Sequence, residues 1–219
     1  MRQPGRTEPR KPRRQRHGPR HPNRYHHGDL PRALLDAALH IVETEGTAAL
    51  TLRAAARLAG VSQAAPYRHF ANKEAILAAV AEEGFGSLMA AMARAAAAFP
   101  ESPLERLRAV GVGYVTFATD HPSHFRVMFG REMADRSASA SLRQVATDTF
   151  NMVADVISDC QRAGLVRSED PAEDLALTAW SSVHGVSALL VDGVLDRPVA
   201  DVAEMVTRDL FLGLGPRQG

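Results

Sequence analysis

The sequence has very little cysteine and no long apolar run. Cys160 is the single cysteine among 219 residues, so the chain can form no internal disulfide and no cysteine-based metal site. No run of about 18 apolar residues occurs, and the N-terminus lacks the apolar stretch of a signal peptide. No alternating apolar pattern or hairpin signal indicates a strand. These absences favour a cytoplasmic, all-α protein.

Charge is distributed very unevenly along the chain. The formal net charge is only +1, yet residues 1–24 contain nine Lys or Arg and one acidic residue, Glu8. This stretch is rich in Arg and Pro and has no hydrophobic period, so it cannot bury enough apolar surface to order itself. We expect a disordered basic arm over residues 1–24 that contacts nucleic acid without reading its sequence.

Helix signals begin directly after the arm. Asp29 can cap a first helix that Gly46 ends, and Thr51 can cap a short second helix. Asn72 can cap a long fourth helix that runs toward Phe99, with glycines at positions 84 and 86 where it can bend. Apolar stripes at helical spacing continue beyond Pro100 to the end of the chain.

Residues 51–77 have the pattern of a helix-turn-helix. A second helix ends near Leu58, Gly60 makes a tight turn, and Ser62 can cap a third helix that runs to about Phe70. Ala55 and Ala56 are small where the two helices must cross. Leu58 and Phe70 are expected to complete a small core.

The start of the third helix carries side chains suited to the DNA major groove. Gln63 can form two hydrogen bonds with an adenine edge, and Ala64 can pack on a thymine methyl, with Ser62 beside them. Pro66 removes one intrahelical bond and shortens the helix. The polar groups of Thr51, Tyr67, His69 and Lys73 can hold phosphates, which fixes the register of the protein on DNA.

The tetrad Tyr67-Arg68-His69-Phe70, followed by Lys73, resembles the hallmark of the TetR family of repressors. The likeness covers about residues 29–77, and Pro66 departs from the Leu or Ile that many members have there. A weaker resemblance, carried by Trp180 and His184-Gly185, points to one subgroup. The resemblance implies an operator-binding homodimer that a small apolar or amphipathic molecule releases from DNA.

Three regions are expected: the arm at 1–24, a DNA-binding domain at 25–77, and a helical effector-binding and dimerisation domain at 78–219. The last two helices, predicted at 171–192 and 198–213, are candidates for the dimer seam. Aromatic and apolar side chains of the third region can line an effector cavity or simply fill the core. These candidates are Tyr114, Phe117, Phe125, Met128, Phe129, Phe150, Trp180 and His184.

Other functions receive less support from the sequence. No nucleophile elbow, phosphate loop, dinucleotide turn or HExxH pattern is present, so no catalytic residue, cofactor or metal site is predicted. His17, His21, His26 and His27 allow a metal site, but a DNA-facing role in the basic arm is simpler. An effector-independent DNA-binding protein, or a helical enzyme with a relic helix-turn-helix, stays open as an alternative.

Overall fold

The computed structural model describes residues 29–131 and 139–216. The predicted basic arm at 1–24 and the histidines at positions 17, 21, 26 and 27 lie outside this range. The described residues form α-helices and two short 3-10 turns, with no strand among them. The helices are α1 (Leu30–Glu45), α2 (Leu52–Leu58), α3 (Lys73–Ala96), α4 (Pro103–Asp120), α5 (Pro122–Phe129), α6 (Ala140–Arg162), α7 (Ala172–Val191) and α8 (Val199–Leu214). The all-α prediction is confirmed.

The N-terminal helices begin and end at the predicted residues. The Asp29 carboxylate accepts a 3.0 Å hydrogen bond from the Arg32 amide, and α1 ends at Gly46, whose φ of 83° is accessible to glycine. Thr51 caps α2 in the same way, since its hydroxyl accepts from the Ala54 amide at 3.0 Å. These caps fix the ends of α1 and α2, the first two helices of the DNA-binding unit that the sequence predicts.

Helix α3 links this unit to the rest of the protein. Asn72 caps it by accepting a 2.9 Å bond from the Ala75 amide, and the helix ends at Ala96, three residues before the predicted end near Phe99. The two glycines in its middle differ sharply. A Cβ at Gly84 would lie 2.5 Å from the Met128 sulfur of α5, whereas a Cβ at Gly86 would meet nothing within 4 Å. Gly84 therefore permits close helix packing.

The C-terminal helices pack around α4. One of the apolar stripes predicted beyond Pro100 lies on α4, and its residues Leu107, Val110, Tyr114 and Phe117 are buried. A second cluster beside Leu107 contains Cys160, and burial raises the pKa of its thiol to about 11. A separate larger cluster runs from Leu34 of α1 through α3 to Ala203 of α8 and joins the DNA-binding unit to the C-terminal helices.

Polar contacts also join the two regions. Arg32 of α1 pairs with Glu83 of α3 at 2.8 Å, and the His124 ring of α5 lies 3.9 Å from the same carboxylate. Desolvation by burial lowers the pKa of His124, although Glu83 opposes this shift. Three helices, α1, α3 and α5, thus meet at Glu83.

By length and composition alone, α3 and α7 are apolar enough to cross a membrane. Helix α3 instead packs against α1, α4, α5 and α6. Its apolar character is that of a core helix. Helix α7 packs against α4, α6 and α8 on its inner side and leaves an uncharged stripe on its outer side.

Candidate nucleic-acid interface and internal cavity

The predicted DNA-reading side chains lie on an outward-facing turn. Gly60 adopts a φ of 69° and redirects the chain after α2. Ser62, Gln63 and Ala64 follow and are all exposed. Further along, Tyr67 is 53% exposed and His69 is exposed as well. The structure therefore leaves the hydroxyl, amide, methyl and imidazole groups of residues 62–69 accessible, and Thr51 at the start of α2 is exposed as well.

The predicted third α-helix is wrong in form. Residues 62–65 make a turn, and only Pro66–Arg68 is helical, as a single 3-10 turn. Pro66 has no N–H to donate to the Ser62 carbonyl, which instead accepts from Ala65 at 3.0 Å. The next bonds keep the tighter spacing, since Arg68 donates to Ala65 and His69 to Pro66. The Phe70 amide then donates to the Pro66 carbonyl at 2.9 Å, four residues back, so the tighter spacing ends there. Proline thus affects several bonds of the segment rather than one.

A small buried core supports this turn from below. Ala55 and Ala56 are fully buried, as their size predicts for a close helix crossing. Pro66 is buried, and Phe70 is 8% exposed. The prediction that Leu58 belongs to this core is wrong, because Leu58 is 49% exposed at the end of α2. Leu50 and Leu52 supply the buried leucine side chains instead.

Lys73 has a structural partner that the sequence did not reveal. Its Nζ donates a 2.7 Å hydrogen bond to the Thr47 carbonyl, in the 3-10 turn Thr47–Ala49 between α1 and α2. The ammonium has three N–H donors, so one bond to Thr47 leaves capacity for a phosphate. Because the two residues are 26 positions apart, only the folded chain brings them together.

A cavity of about 70 Å³ lies inside the C-terminal helices. Four of the predicted effector-binding residues line it: Tyr114, Phe129, Phe150 and Trp180. The lining residues that α3 and α8 contribute were not predicted from the sequence. These include Phe85, Leu88, Met92, Thr207, Leu210 and Phe211. The spacing of Phe85, Leu88 and Met92 marks one helix face and was an available signal.

The other four predicted residues do not line this cavity. Phe117 packs its ring on His121, with centroids 4.9 Å apart. Phe125 lies behind the wall, 5.1 Å from the rings of both Phe129 and His184. Met128 fills the space left by Gly84. Apolar periodicity predicts that a side chain is buried, but it does not distinguish cavity wall from solid core.

His184 lies just behind the cavity wall in a hydrogen-bonded chain of three side chains. The Trp180 Nε1–H donates to the Tyr114 hydroxyl at 3.1 Å, and the same hydroxyl lies 2.9 Å from Nδ1 of His184. Burial lowers the pKa of His184 and so favours its neutral ring, in which Nδ1 can accept from the phenol. Tyr114 and Trp180 thus bring polar groups to the cavity lining, and His184 supports them without lining it.

Two protein-family models match the chain. The model for bacterial regulatory proteins of the tetR family matches residues 34–80, and the model for a tetracyclin repressor-like C-terminal domain matches residues 107–210. The chain belongs to the TetR family. The prediction of a helix-turn-helix transcriptional regulator rather than an enzyme is confirmed with it.

The chain is also similar to three known proteins. The HTH-type transcriptional regulator BetI of Rhizobium meliloti is 40% identical over 83 residues, which span 36% of this chain and 38% of that regulator. A solved structure of a protein with unknown function from Rhodococcus sp. RHA1 is 34% identical, with a TM-score of 0.77 over 87% of this chain and 98% of its own. A tetR-family regulatory protein from Rhodococcus RHA1 is 25% identical, with a TM-score of 0.71 over 86% and 98% of the two chains.

Proposed function

We propose that this regulator binds operator DNA as a homodimer, represses transcription there, and is released by a small-molecule effector in the cytoplasm. One observation carries the DNA-binding part of the proposal: Gln63, Tyr67 and His69 are all exposed on a turn that a buried core supports. Side chains held in this way can contact DNA without ordering a flexible loop first.

The polar groups on this surface have separate roles in the proposal. Gln63 reads an adenine edge and Ala64 contacts a thymine methyl, with Ser62 beside them. Phosphate contacts come from Tyr67 and His69. Thr51 and Lys73 flank the turn and bind phosphates too. The basic arm at 1–24 adds affinity for any duplex through counterion release.

The dimer is proposed to form along α7 and α8, whose bounds agree with the predicted seam to within one residue. An exposed stripe on α7 runs through Leu177, Ser181, Gly185 and Leu189 at four-residue spacing and carries no charge. The two leucines are 52% and 43% exposed. Two helices can approach closely where Ser and Gly lie between larger apolar residues. Val183 and Val202 of the predicted seam instead face the protomer core.

Release by an effector is proposed to act through α3. This helix carries Lys73 at its DNA-facing end, and Phe85, Leu88 and Met92 in the cavity wall. A ligand that fits the cavity better in the off-DNA form weakens operator binding, and DNA must weaken the binding of the ligand by the same factor.

The domains that we propose are those expected from the sequence, a DNA-binding domain at 25–77 and an effector-binding and dimerisation domain at 78–219. Trp180 and His184-Gly185 support the proposal that the chain belongs to the subgroup of the family that carries a Trp and a His-Gly pair in its C-terminal half.

Selection of duplexes from random DNA by the full-length protein tests this function. We expect enrichment of a palindrome whose half-sites lie about one helical turn apart or a multiple of it, because a two-fold dimer presents two equal surfaces. Light scattering at micromolar concentration should give the mass of a dimer. Failure to enrich any sequence, or a monomeric mass, contradicts the proposal.

A further inference from the structure

Among the residues that the structure describes, the walls of the internal cavity carry almost no polar groups and no charge. None of the described residues that line it is Lys, Arg, Asp or Glu. The hydroxyls of Thr149 and Thr207 point back to their own helices, where they donate to the carbonyls of Val145 and Ala203 at 2.7 and 2.8 Å. The Tyr114 hydroxyl and the Trp180 indole N–H are therefore the remaining polar side-chain groups of the described lining residues, and His184 holds the same hydroxyl.

Two charged side chains of α4 lie beside the cavity but are not among its described lining residues. Arg106 and Arg108 lie on α4 close to the lining residue Leu107, and they form ion pairs with Asp159 and Glu204. Burial also favours the neutral form of His184, because it lowers the pKa of the ring. A buried charge needs a partner, because an unpaired ion loses its hydration without compensation. The described walls offer neither a cation to a carboxylate ligand nor an anion to an ammonium ligand.

Aromatic rings can attract a cation through their faces, so the wall geometry matters. Phe85 packs edge-to-face on Phe129, with centroids 5.4 Å apart, and Phe150 packs in the same way on Trp180 at 6.2 Å. The Phe129 ring is also 6.0 Å from Trp180. Neighbouring rings thus cover one another's faces. This arrangement suits contact with an uncharged ring or chain better than a cage around a cation.

We propose that the cavity takes an uncharged, largely aromatic or hydrocarbon ligand with one polar group, and that Tyr114, held by Trp180 and His184, recognises this group. The inference rests on the proposed effector site and adds its ligand class. The cavity of about 70 Å³ is smaller than the ~150 Å³ of a dry protein cavity known to take benzene. The ligand is therefore compact, and the half-buried rings of Phe129 and Phe150 shift as it enters.

A set of four matched compounds tests the ligand class directly. Benzyl alcohol, toluene, benzoate and benzylammonium share one ring and differ in the group attached. Trp180 is the only tryptophan of the chain and lines the cavity, so its fluorescence reports binding. We expect benzyl alcohol to bind more tightly than toluene and at least tenfold more tightly than either ion. Equal or tighter binding of toluene overturns the recognition of a polar group. Equal or tighter binding of an ion, or no binding by any of the four, overturns the proposal.

Two substitutions test where and how the alcohol binds. Ala146→Leu narrows the cavity and should weaken benzyl alcohol about tenfold, while Thr147→Leu, at an exposed neighbouring position, should leave it unchanged. Tyr114→Phe should reverse the preference, so that toluene binds more tightly than the alcohol. Circular dichroism checks that each variant is folded. A Tyr114→Phe protein that still prefers the alcohol excludes Tyr114 as the recognition group.

Operator binding is measured in parallel without any compound. Loss of sequence-selective DNA binding would contradict the proposed function and leave the ligand result intact. Failure of the four compounds, with operator binding intact, would contradict only the ligand class.

Discussion

The Nζ of Lys73 donates a 2.7 Å hydrogen bond to the carbonyl oxygen of Thr47. This bond ties the start of α3 to the turn between α1 and α2. Lys73 therefore has a structural role in the DNA-binding unit, beside the contact with a phosphate that we propose for it. The two roles affect different measurements and can be separated.

Lys73→Ala should lower the free energy of unfolding by about 1 kcal/mol, because a half-buried hydrogen bond from a charged donor is lost. It should also weaken binding to every duplex alike and reduce the salt slope of binding by about one. Denaturant unfolding and fluorescence anisotropy at several salt concentrations measure the two effects. Lys73→Arg, which retains the charge, is the control. A loss limited to one DNA sequence would contradict the phosphate role.

Substitution of Gly84 and of Gly86 in α3 by alanine should change the free energy of unfolding in opposite directions. Gly86→Ala should raise the free energy of unfolding by about 0.5–1 kcal/mol, because alanine favours the helix and its Cβ has open space. Gly84→Ala should lower it by about 1 kcal/mol, since the new methyl must displace Met128. Denaturant unfolding of both variants decides this. A similar gain in both would show that the packing at Gly84 relaxes easily.

The fold could be predicted from the sequence because its signals are local. Asp29, Thr51 and Asn72 each cap a helix, because the side chain accepts a hydrogen bond from an amide three residues later. In each case one residue of the sequence is enough to indicate where the helix begins. The prediction of a third α-helix was wrong because the local signal there does not determine the structure. Pro66 forbids one bond, but whether the chain then recovers an α-helix or stays in a 3-10 turn depends on the core beneath Pro66 and Phe70.

The candidate sites were predictable only in part. Exposure of Gln63 and Tyr67 follows from a polar turn between two helices. The bond from Lys73 to Thr47 and the contact of Tyr114 with His184 join residues 26 and 70 positions apart, which only tertiary packing determines. Likewise, Phe117 and Phe129 share the same apolar character, yet only Phe129 reaches the cavity.

Stability should fall as the pH is lowered below about 6.5. Burial lowers the pKa of His184 in the folded protein, so the unfolded chain takes up the proton first and protonation favours unfolding. The loss begins near the unfolded pKa of about 6.5 and ends at the lower folded value, with a slope of at most about 1.4 kcal/mol per pH unit for this histidine. Denaturant unfolding between pH 7.5 and 5.5 measures it.

His184→Gln should reduce that slope, because it removes the buried titrating ring. The same substitution at the exposed His40 of α1 is the control. An identical slope in the wild-type protein and in His184→Gln would show that this ring does not contribute.

Gly185→Arg should convert the dimer into a folded monomer. Gly185 lies in the uncharged stripe of α7, and a Cβ there meets nothing within 4 Å of the same protomer. A large cation would therefore disturb only a partner. Gly86→Arg is a matched control, since it too is a helical glycine with open space. Light scattering distinguishes the two, and a dimeric Gly185→Arg protein would place the interface elsewhere.

The most direct test compares Gln63→Ala with Tyr67→Phe on the operator selected from random DNA and on its single-base variants. Affinities are measured by fluorescence anisotropy at one salt concentration. If the exposed turn reads DNA, Gln63→Ala loses discrimination at one base position of each half-site, by about 1–3 kcal/mol, while Tyr67→Phe weakens all the duplexes alike. Equal, sequence-independent losses in both variants, or no loss in either, would contradict the proposed DNA-binding surface.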